Sequence, residues 1–224
     1  MKISIVLPCK NEEWGLGLCI NKIKEILKNK EHEIIVSDSS SDSSEIIARK
    51  LGARVVKHKE GYGNALITGM NSASGDYIIF ADCDCSYDFY EIPLFLRKFE
   101  EGYDIIIGSR MKGKIEWGAM PFSHRYIGNP FFTFLINFKF KSNFSDTHSG
   151  FRGVTKEAYN KLSLNCKGME FASEMLIKAK NKNLKITEVP IRYSVRVGKK
   201  KLRMIKDGFR HLSYILKYEN CNSL

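Results

Sequence analysis

Metal and disulfide cysteine patterns are missing from this 224-residue chain: its six cysteines, Cys9, Cys19, Cys83, Cys85, Cys166 and Cys221, form no Cys-x-x-Cys pair and no cysteine–histidine cluster at zinc spacing. That excludes a disulfide framework and a structural zinc, and a reducing, cytosolic compartment is expected. No run of 18 apolar residues occurs, so no bilayer-crossing helix is expected. The apolar stretch Ile3 to Leu7 ends at Pro8 with no small-residue cleavage site behind it, so no signal peptide is expected. Prolines number only five, and neither a linker-like composition nor an internal repeat appears, so residues 1–224 are expected to form one domain. A hydrophobic content of 43% is ample for its core. Positive charge is what the chain has in excess: 36 Lys and Arg against 25 Asp and Glu leave +11, which favours an anionic partner such as nucleic acid, an acidic membrane or a phosphorylated substrate.

Short β-branched runs alternate with helical patterns through the first half. Ile3 to Leu7, Glu33 to Ser37, Arg54 to Lys57, Asp76 to Phe80 and Asp104 to Ile107 read as buried strands. Leu16, Ile20, Ile23 and Leu27 recur at spacings of three and four, Asp42 is placed to cap a helix over Ser43 to Leu51, and a third helix is expected over Asn64 to Ser72. This order predicts an α/β fold with a mostly parallel, doubly wound sheet. Ligands of such sheets sit beyond the carboxyl ends of the strands. There the chain is polar and acidic: Pro8-Cys9-Lys10-Asn11-Glu12, then Asp38, then Asp82-Cys83-Asp84.

Asp82 and Asp84 flank one residue at a strand end, and in extended geometry residues i and i+2 point the same way, so both carboxylates can address one cation. Hard oxygen ligands suit Mg²⁺ or Mn²⁺ completed by substrate phosphates, although a turn with solvated or capping aspartates fits the pair equally well. Gly61-Tyr62-Gly63 before a helix supplies backbone amides that can approach a phosphate or sugar; an ordinary turn is the plainer reading.

In combination the segments carry more. Ile5 to Glu12, Val36-Ser37-Asp38-Ser39-Ser40-Ser41-Asp42, Gly61-Tyr62-Gly63-Asn64-Ala65-Leu66, Gly75-Asp76-Tyr77 and Asp82-Cys83-Asp84 follow in an order and spacing that resembles the family 2 inverting glycosyltransferases with the GT-A fold. Gly108-Ser109-Arg110, Gly118-Ala119-Met120-Pro121, His124 to Asn129, Asp146 to Arg152, Gly168 to Glu174 and Glu188 to Ile191 are similar to the branch of dolichyl-phosphate mannose and glucose synthases. The resemblance implies a Rossmann-like, mostly parallel sheet sandwiched by helices, with residues 1–110 as the nucleotide-sugar half and 111–195 as the acceptor half. It further implies that Pro8, Glu12, Asp38, Gly63, Asp82, Arg196 and Lys201 bind a nucleoside diphosphate sugar, and that Asp84 holds Mg²⁺ or Mn²⁺ with Ser86 in its shell. Asp82, Asp84 and Glu174 would be the catalytic carboxylates, and Arg110 and Arg125 the ligands of the acceptor phosphate. The family often has Asp at Ser37 and Gly at Ser39, many relatives carry Gln at Ser86, and in the Arg-x-x-Gly-x-Ser-Lys-Leu segment that Arg196 to Leu202 resembles, Lys200 replaces the Ser and one residue fewer separates Arg196 from Gly198.

An alcohol acceptor needs a base, for which Glu174 is the candidate; a phosphate monoester, with its second pKa near roughly 6, attacks as the dianion. Phe131, Phe132, Phe134, Leu135, Phe138 and Phe140 beside Lys139 and Lys141 suit an interfacial helix over 129–141, and a core helix competes with that reading. Residues 196–224 read as a basic loop and C-terminal amphipathic helix, with eight Lys and Arg and one acid, Asp207, between Arg196 and Lys217. The expected function is hexosyl transfer from UDP-glucose, UDP-N-acetylglucosamine or GDP-mannose to a polyprenyl (dolichyl) phosphate, by an enzyme peripheral on the cytosolic face of a membrane. A soluble saccharide acceptor, a catalytically silent nucleotide-binding scaffold and a basic nucleic-acid binder are the alternatives, and the acidic strand-end cluster argues against nucleic acid. Many members of the family carry C-terminal membrane helices, which leaves room for a membrane-embedded partner.

Overall fold

The computed structural model describes residues 2–198 and 204–218. Seven strands make one sheet: β1 (Ile3–Cys9), β2 (His32–Asp38), β3 (Arg54–Lys57), β4 (Tyr77–Phe80), β5 (Ile105–Ile115), β6 (Arg152–Thr155) and β7 (Ile186–Tyr193). Their order is β3-β2-β1-β4-β6-β5-β7. All neighbours are parallel except β6, which runs antiparallel to both β4 and β5.

Strand alternation explains the two layers on the sheet. Ile3, Ile5 and Leu7 of β1 join the cluster with Leu16, Ile20 and Ile23 of α1 (Glu13–Ile26), while Val6 between them joins Leu66 and Met70 of α3 (Tyr62–Asn71) on the other side. Both faces being covered, β1 and β4 are largely apolar, buried Ser4 being the polar exception in β1. On the first side lies α4 (Ile92–Glu100), entered through a single 3₁₀ turn at Phe89–Glu91; on the second lie α6 (Lys156–Leu162) and α7 (Phe171–Asn181). α5 (Asn129–Phe140) follows a π-helical turn at Ser123–Gly128 and packs with α7 and α8 (Met204–Lys217) around Ile136, Phe140, Ile177 and Ile215. No described helix is long and apolar enough to cross a membrane.

Several boundaries differ from expectation for identifiable reasons. The helix expected from Ser43 is α2 (Ser44–Lys50), with Ser43 as its N-cap; Asp42 still caps, accepting from the Ser44 amide (2.9 Å), and also holds the Glu13 amide at the head of α1 (3.2 Å). α3 begins at Tyr62 rather than Asn64. β5 continues to Ile115, past the point where apolar residues stop, because β7 pairs with it again at Lys114 and Ile115 beyond an irregularity after Ser109. The sheet therefore runs across the division expected at 110/111.

Candidate active site

β1 is flanked by β2 on one side and β4 on the other, and the chain reverses its direction of travel across the sheet between them, so a crevice opens at the carboxyl ends of β1 and β4. Into it the sequence delivers Pro8 at the end of β1, Glu12 beyond it, and Asp82 and Asp84 after β4. A cavity of 430 Å³ lies there, lined among others by Pro8, Lys10, Glu12, Ser39, Asp82 and Asp84. Against it lies a second of 680 Å³, whose walls include Arg110, Met120, Phe132, His148 and Arg152. Tyr62, Asp82, Met169 and Arg196 line both, so Asp82 and Arg196 stand where the two cavities meet.

The carboxylates crowd one another. Withdrawal from water, and then the charge of Asp84, push the Asp82 carboxyl up to about 7 despite a hydrogen bond from the Tyr62 hydroxyl. Buried Asp84 accepts at Oδ1 from the Ser86 amide (3.0 Å) and hydroxyl (2.5 Å), and its Oδ2 lies 3.3 Å from Nη2 of Arg196. The same Nη2 donates to Glu12 Oε1 at 3.1 Å, so one guanidinium sits between two acids. The Arg196 segment is fastened to the aspartate loop by the Val197 amide on the Asp84 carbonyl (2.8 Å) and the Ser194 amide on that of Ser86 (2.9 Å).

This donor set fits a hard divalent cation. Two carboxylates at one strand end repel each other until a cation joins them, and after burial that repulsion is the next contribution to the rise at Asp82. Among the described residues no group of three His, Cys, Asp or Glu is arranged as a metal site, so Asp82 and Asp84 alone would leave a cation's shell incomplete.

Other expected site residues fall elsewhere. Asp38 is fully buried and engaged: its Oδ2 takes the Lys57 ammonium at 2.6 Å across the β2–β3 register and its Oδ1 the Ser40 amide at 3.2 Å. Burial alone would raise its carboxyl; Lys57 and Ser40 outweigh that and hold it below the usual range. Ser86 positions Asp84 through a hydrogen bond, its own hydroxyl being given to the carboxylate. Gly63 lines neither cavity: a Cβ there would stand 1.9 Å from the Cys166 carbonyl oxygen, so glycine serves the close approach of α3 to the 166–168 segment rather than a phosphate. Glu174 is likewise absent from both cavities. It is fully buried and accepts from the amides of Asn165 (3.0 Å) and Cys166 (2.8 Å) and from Lys178 (2.7 Å), which anchors a loop to α7 and keeps this carboxylate out of both cavities. Arg125 lines neither cavity and lies over the Tyr126 ring. Lys201 lies outside the described residues.

Arg110 does reach the second cavity, but as half of a buried pair: its Nε and Nη2 each donate to Asp146 at 2.7 Å, and its guanidinium packs over Tyr193. Burial would raise Asp146; Arg110 overrides it and holds the carboxyl low. Arg152, fully buried, gives its fork to the carbonyls of Thr147, Ser149 and Ala172 rather than to an acid, and burial pulls it down to about 10. Sequence reasoning did not single out Tyr62, Asp146 or Arg152 as site residues. All three stand inside segments it quoted, Gly61-Tyr62-Gly63 and Asp146 to Arg152, and only the fold brings them to Asp82 and Arg110.

Comparison with known proteins bears on the family and the fold. The family model described as Glycosyl transferase family 2 matches residues 4–163. The low-salt glycan biosynthesis hexosyltransferase Agl6 of Haloferax volcanii is 39% identical over 96% of this chain, and the chain spans only 53% of that relative's length. The dolichyl-phosphate hexose transferase of the same organism is 31% identical, over 92% of this chain and 89% of its own. Among solved structures, glucosyl-3-phosphoglycerate synthase of Mycobacterium tuberculosis in complex with Mn²⁺, UDP and glucosyl-3-phosphoglycerate superimposes with a TM-score of 0.75 at 23% identity, over 96% of this chain and 78% of that one, which shows a shared GT-A fold.

Proposed function

The chain belongs to glycosyl transferase family 2, on its dolichyl-phosphate sugar synthase branch, and from that premise we propose that it moves a hexosyl group, with inversion, from a nucleoside diphosphate sugar to the phosphate of a dolichyl-type polyprenyl lipid. The observation that carries this reading is the meeting of two unlike cavities at Asp82 and Arg196, one rich in carboxylates and the other largely apolar with buried arginines in its wall. The nucleoside enters along Pro8 and Ser39, and its diphosphate lies toward Asp84. A divalent cation bound there supplies Lewis-acid stabilisation of the charge that builds on the leaving phosphate. Arg196, now shared by Glu12 and Asp84, turns its guanidinium to the same diphosphate, so the group that neutralises the acids in the resting protein later serves the leaving group.

On the acceptor side no base is required. The dianionic phosphate attacks as it stands, which suits a crevice from which Glu174 is absent. Arg110 is preset by Asp146, so its planar fork is ordered before substrate arrives. The apolar walls receive the first isoprene units, and the exposed aromatic residues beside the cavity mouth rest on the cytosolic leaflet.

The test is transfer of radiolabelled sugar from UDP-glucose, UDP-N-acetylglucosamine and GDP-mannose to dolichyl phosphate in detergent, with Mg²⁺ or Mn²⁺, beside a soluble phosphate monoester. Label in the lipid, lost on adding chelator, is expected for one donor. Label confined to the soluble acceptor overturns the lipid assignment, and label in neither overturns the transferase.

A further inference from the structure

The aspartate loop carries chemistry that sugar transfer does not use. Cys83 and Cys85 alternate with Asp82 and Asp84, and each has a thiol partner: Cys83 hydrogen-bonds with Cys9, and Cys85 Sγ lies 3.8 Å from Cys19 Sγ of α1. The two pairs differ in access. Cys9 and Cys83 are both buried, whereas Cys85 is only partly buried, with Cys19 buried behind it. We propose that Cys19 and Cys85 form a reversible disulfide with low-molecular-weight disulfides as oxidant, and that this bond turns off the neighbouring aspartate site.

The exchange balances with no further reagent. Cys85 sulfur attacks one sulfur of the small disulfide and releases its first half as a thiol; Cys19 sulfur then attacks Cys85 and releases the second half. Two protein thiols become one disulfide and the reagent becomes two thiols. A disulfide is about 2.05 Å long, so the sulfurs must close by roughly 1.8 Å. Cys85 already holds an unusual backbone, with φ of 65°, directly after Asp84.

The loop has little room to follow that movement. A Cβ on Gly15 of α1 would lie 2.8 Å from the Cys83 carbonyl oxygen, so helix and loop are in close backbone contact. On the other side the amides of Ser194 and Val197 grip the carbonyls of Ser86 and Asp84. Drawing Cys85 toward α1 therefore turns the Asp84 peptide or breaks its tie to the Arg196 segment. That consequence rests on the transferase reading; the cross-link does not.

The full chain, first reduced, is incubated with oxidised glutathione and assayed for transfer, and its peptides are mapped without reduction. The expected result is a Cys19–Cys85 linked peptide, a loss of at least about tenfold in transfer that tracks the linked fraction, and recovery with dithiothreitol. Cys19→Ser is expected to transfer sugar when reduced and to yield no linked peptide, any glutathione adduct on Cys85 being distinct in the map. Absence of the linked peptide in the oxidised wild type overturns the proposal, whatever the activity. Linked protein with undiminished transfer overturns the switch. A reduced enzyme without transfer counts against the transferase reading, and the linked peptide then decides the thiol chemistry by itself.

Discussion

At the scale of single residues the crevice separates groups that do chemistry from groups that hold them. The charge of Asp84 adds, after burial, to the rise of the neighbouring Asp82 carboxyl, so removing it relieves part of that crowding. Asp84→Asn is therefore expected to leave the melting temperature equal or higher and to lower metal-dependent turnover by about 10²–10³, the usual loss when one charge-stabilising group is taken from a transition state. Calorimetry and the transfer assay together check it; a large fall in melting temperature would assign Asp84 to the fold instead. Asp146 should behave oppositely. Asp146→Ala strands Arg110 as a buried unpaired cation and is expected to cost about 3–5 kcal/mol of stability in denaturant titration. The contrast marks what a sequence can disclose. Glu12, Asp82 and Asp84 are legible because they directly follow strands, and strand ends define the crevice. Asp146 meets Arg110 across 36 residues, which no local pattern encodes. Glu174 shares a helical face with Glu170, but the face turns to the Asn165 and Cys166 amides, and sequence periodicity cannot say which neighbour a buried face meets.

At the scale of elements, the strands and the first three helices were readable because each buries one stripe or both faces against a single layer. β6 was not, since a four-residue strand paired antiparallel on both sides has no periodic signature. The docking of α8 was equally hidden, and it has a pH dependence. His211 of α8 bonds Ser173 of α7 (2.8 Å) and contacts His148 Nε2 (3.1 Å), whose Nδ1 meets the Thr147 hydroxyl (3.0 Å); Arg152 and Arg110 are the nearby cations. Burial lowers His211 to about 4, and burial together with His211 and Arg152 lowers His148 as well. Both are thus folded in the neutral form. Stability from them is complete above the unfolded value near about 6.5 and is lost as pH falls from there toward 4, because the unfolded chain takes up protons that the fold refuses. For His211 alone the loss approaches about 3 kcal/mol at pH 4. Unfolding curves between pH 7 and 4 should steepen accordingly, and His211→Gln should flatten them. Identical pH slopes in variant and wild type would remove the histidine pair as the cause.

At the scale of the whole molecule, charge and exposed aromatic surface act together. Phe134 and Phe138 of α5 are 63% and 78% exposed and Trp117 is 95% exposed, although Thr133, Ile136 and Phe140 of the same region bury the other side of α5 in the core. α5 thus has two faces, one packed inward and one that presents aromatic rings outward. A net charge of +11 adds attraction to anionic lipid, at about 1 kcal/mol for each Lys or Arg near the surface, screened over about 10 Å in 0.1 M salt. If the lipid reading is right, binding to anionic vesicles has two separable parts. Raising salt weakens the charge part and leaves the aromatic part. Phe134→Ser with Phe138→Ser removes the aromatic part: full burial of a Phe contributes about 1.5–3 kcal/mol, so partial insertion of the pair, at about 2 kcal/mol in all, corresponds to roughly thirtyfold in partitioning. Because both rings face solvent, the double variant should keep the wild-type melting temperature and its transfer to a short, water-soluble polyprenyl phosphate. Sedimentation with vesicles at low and physiological salt is the measurement. Partitioning that is unchanged by the double variant at both salts would place the membrane face elsewhere on the molecule, and no partitioning at either would remove the membrane from the mechanism.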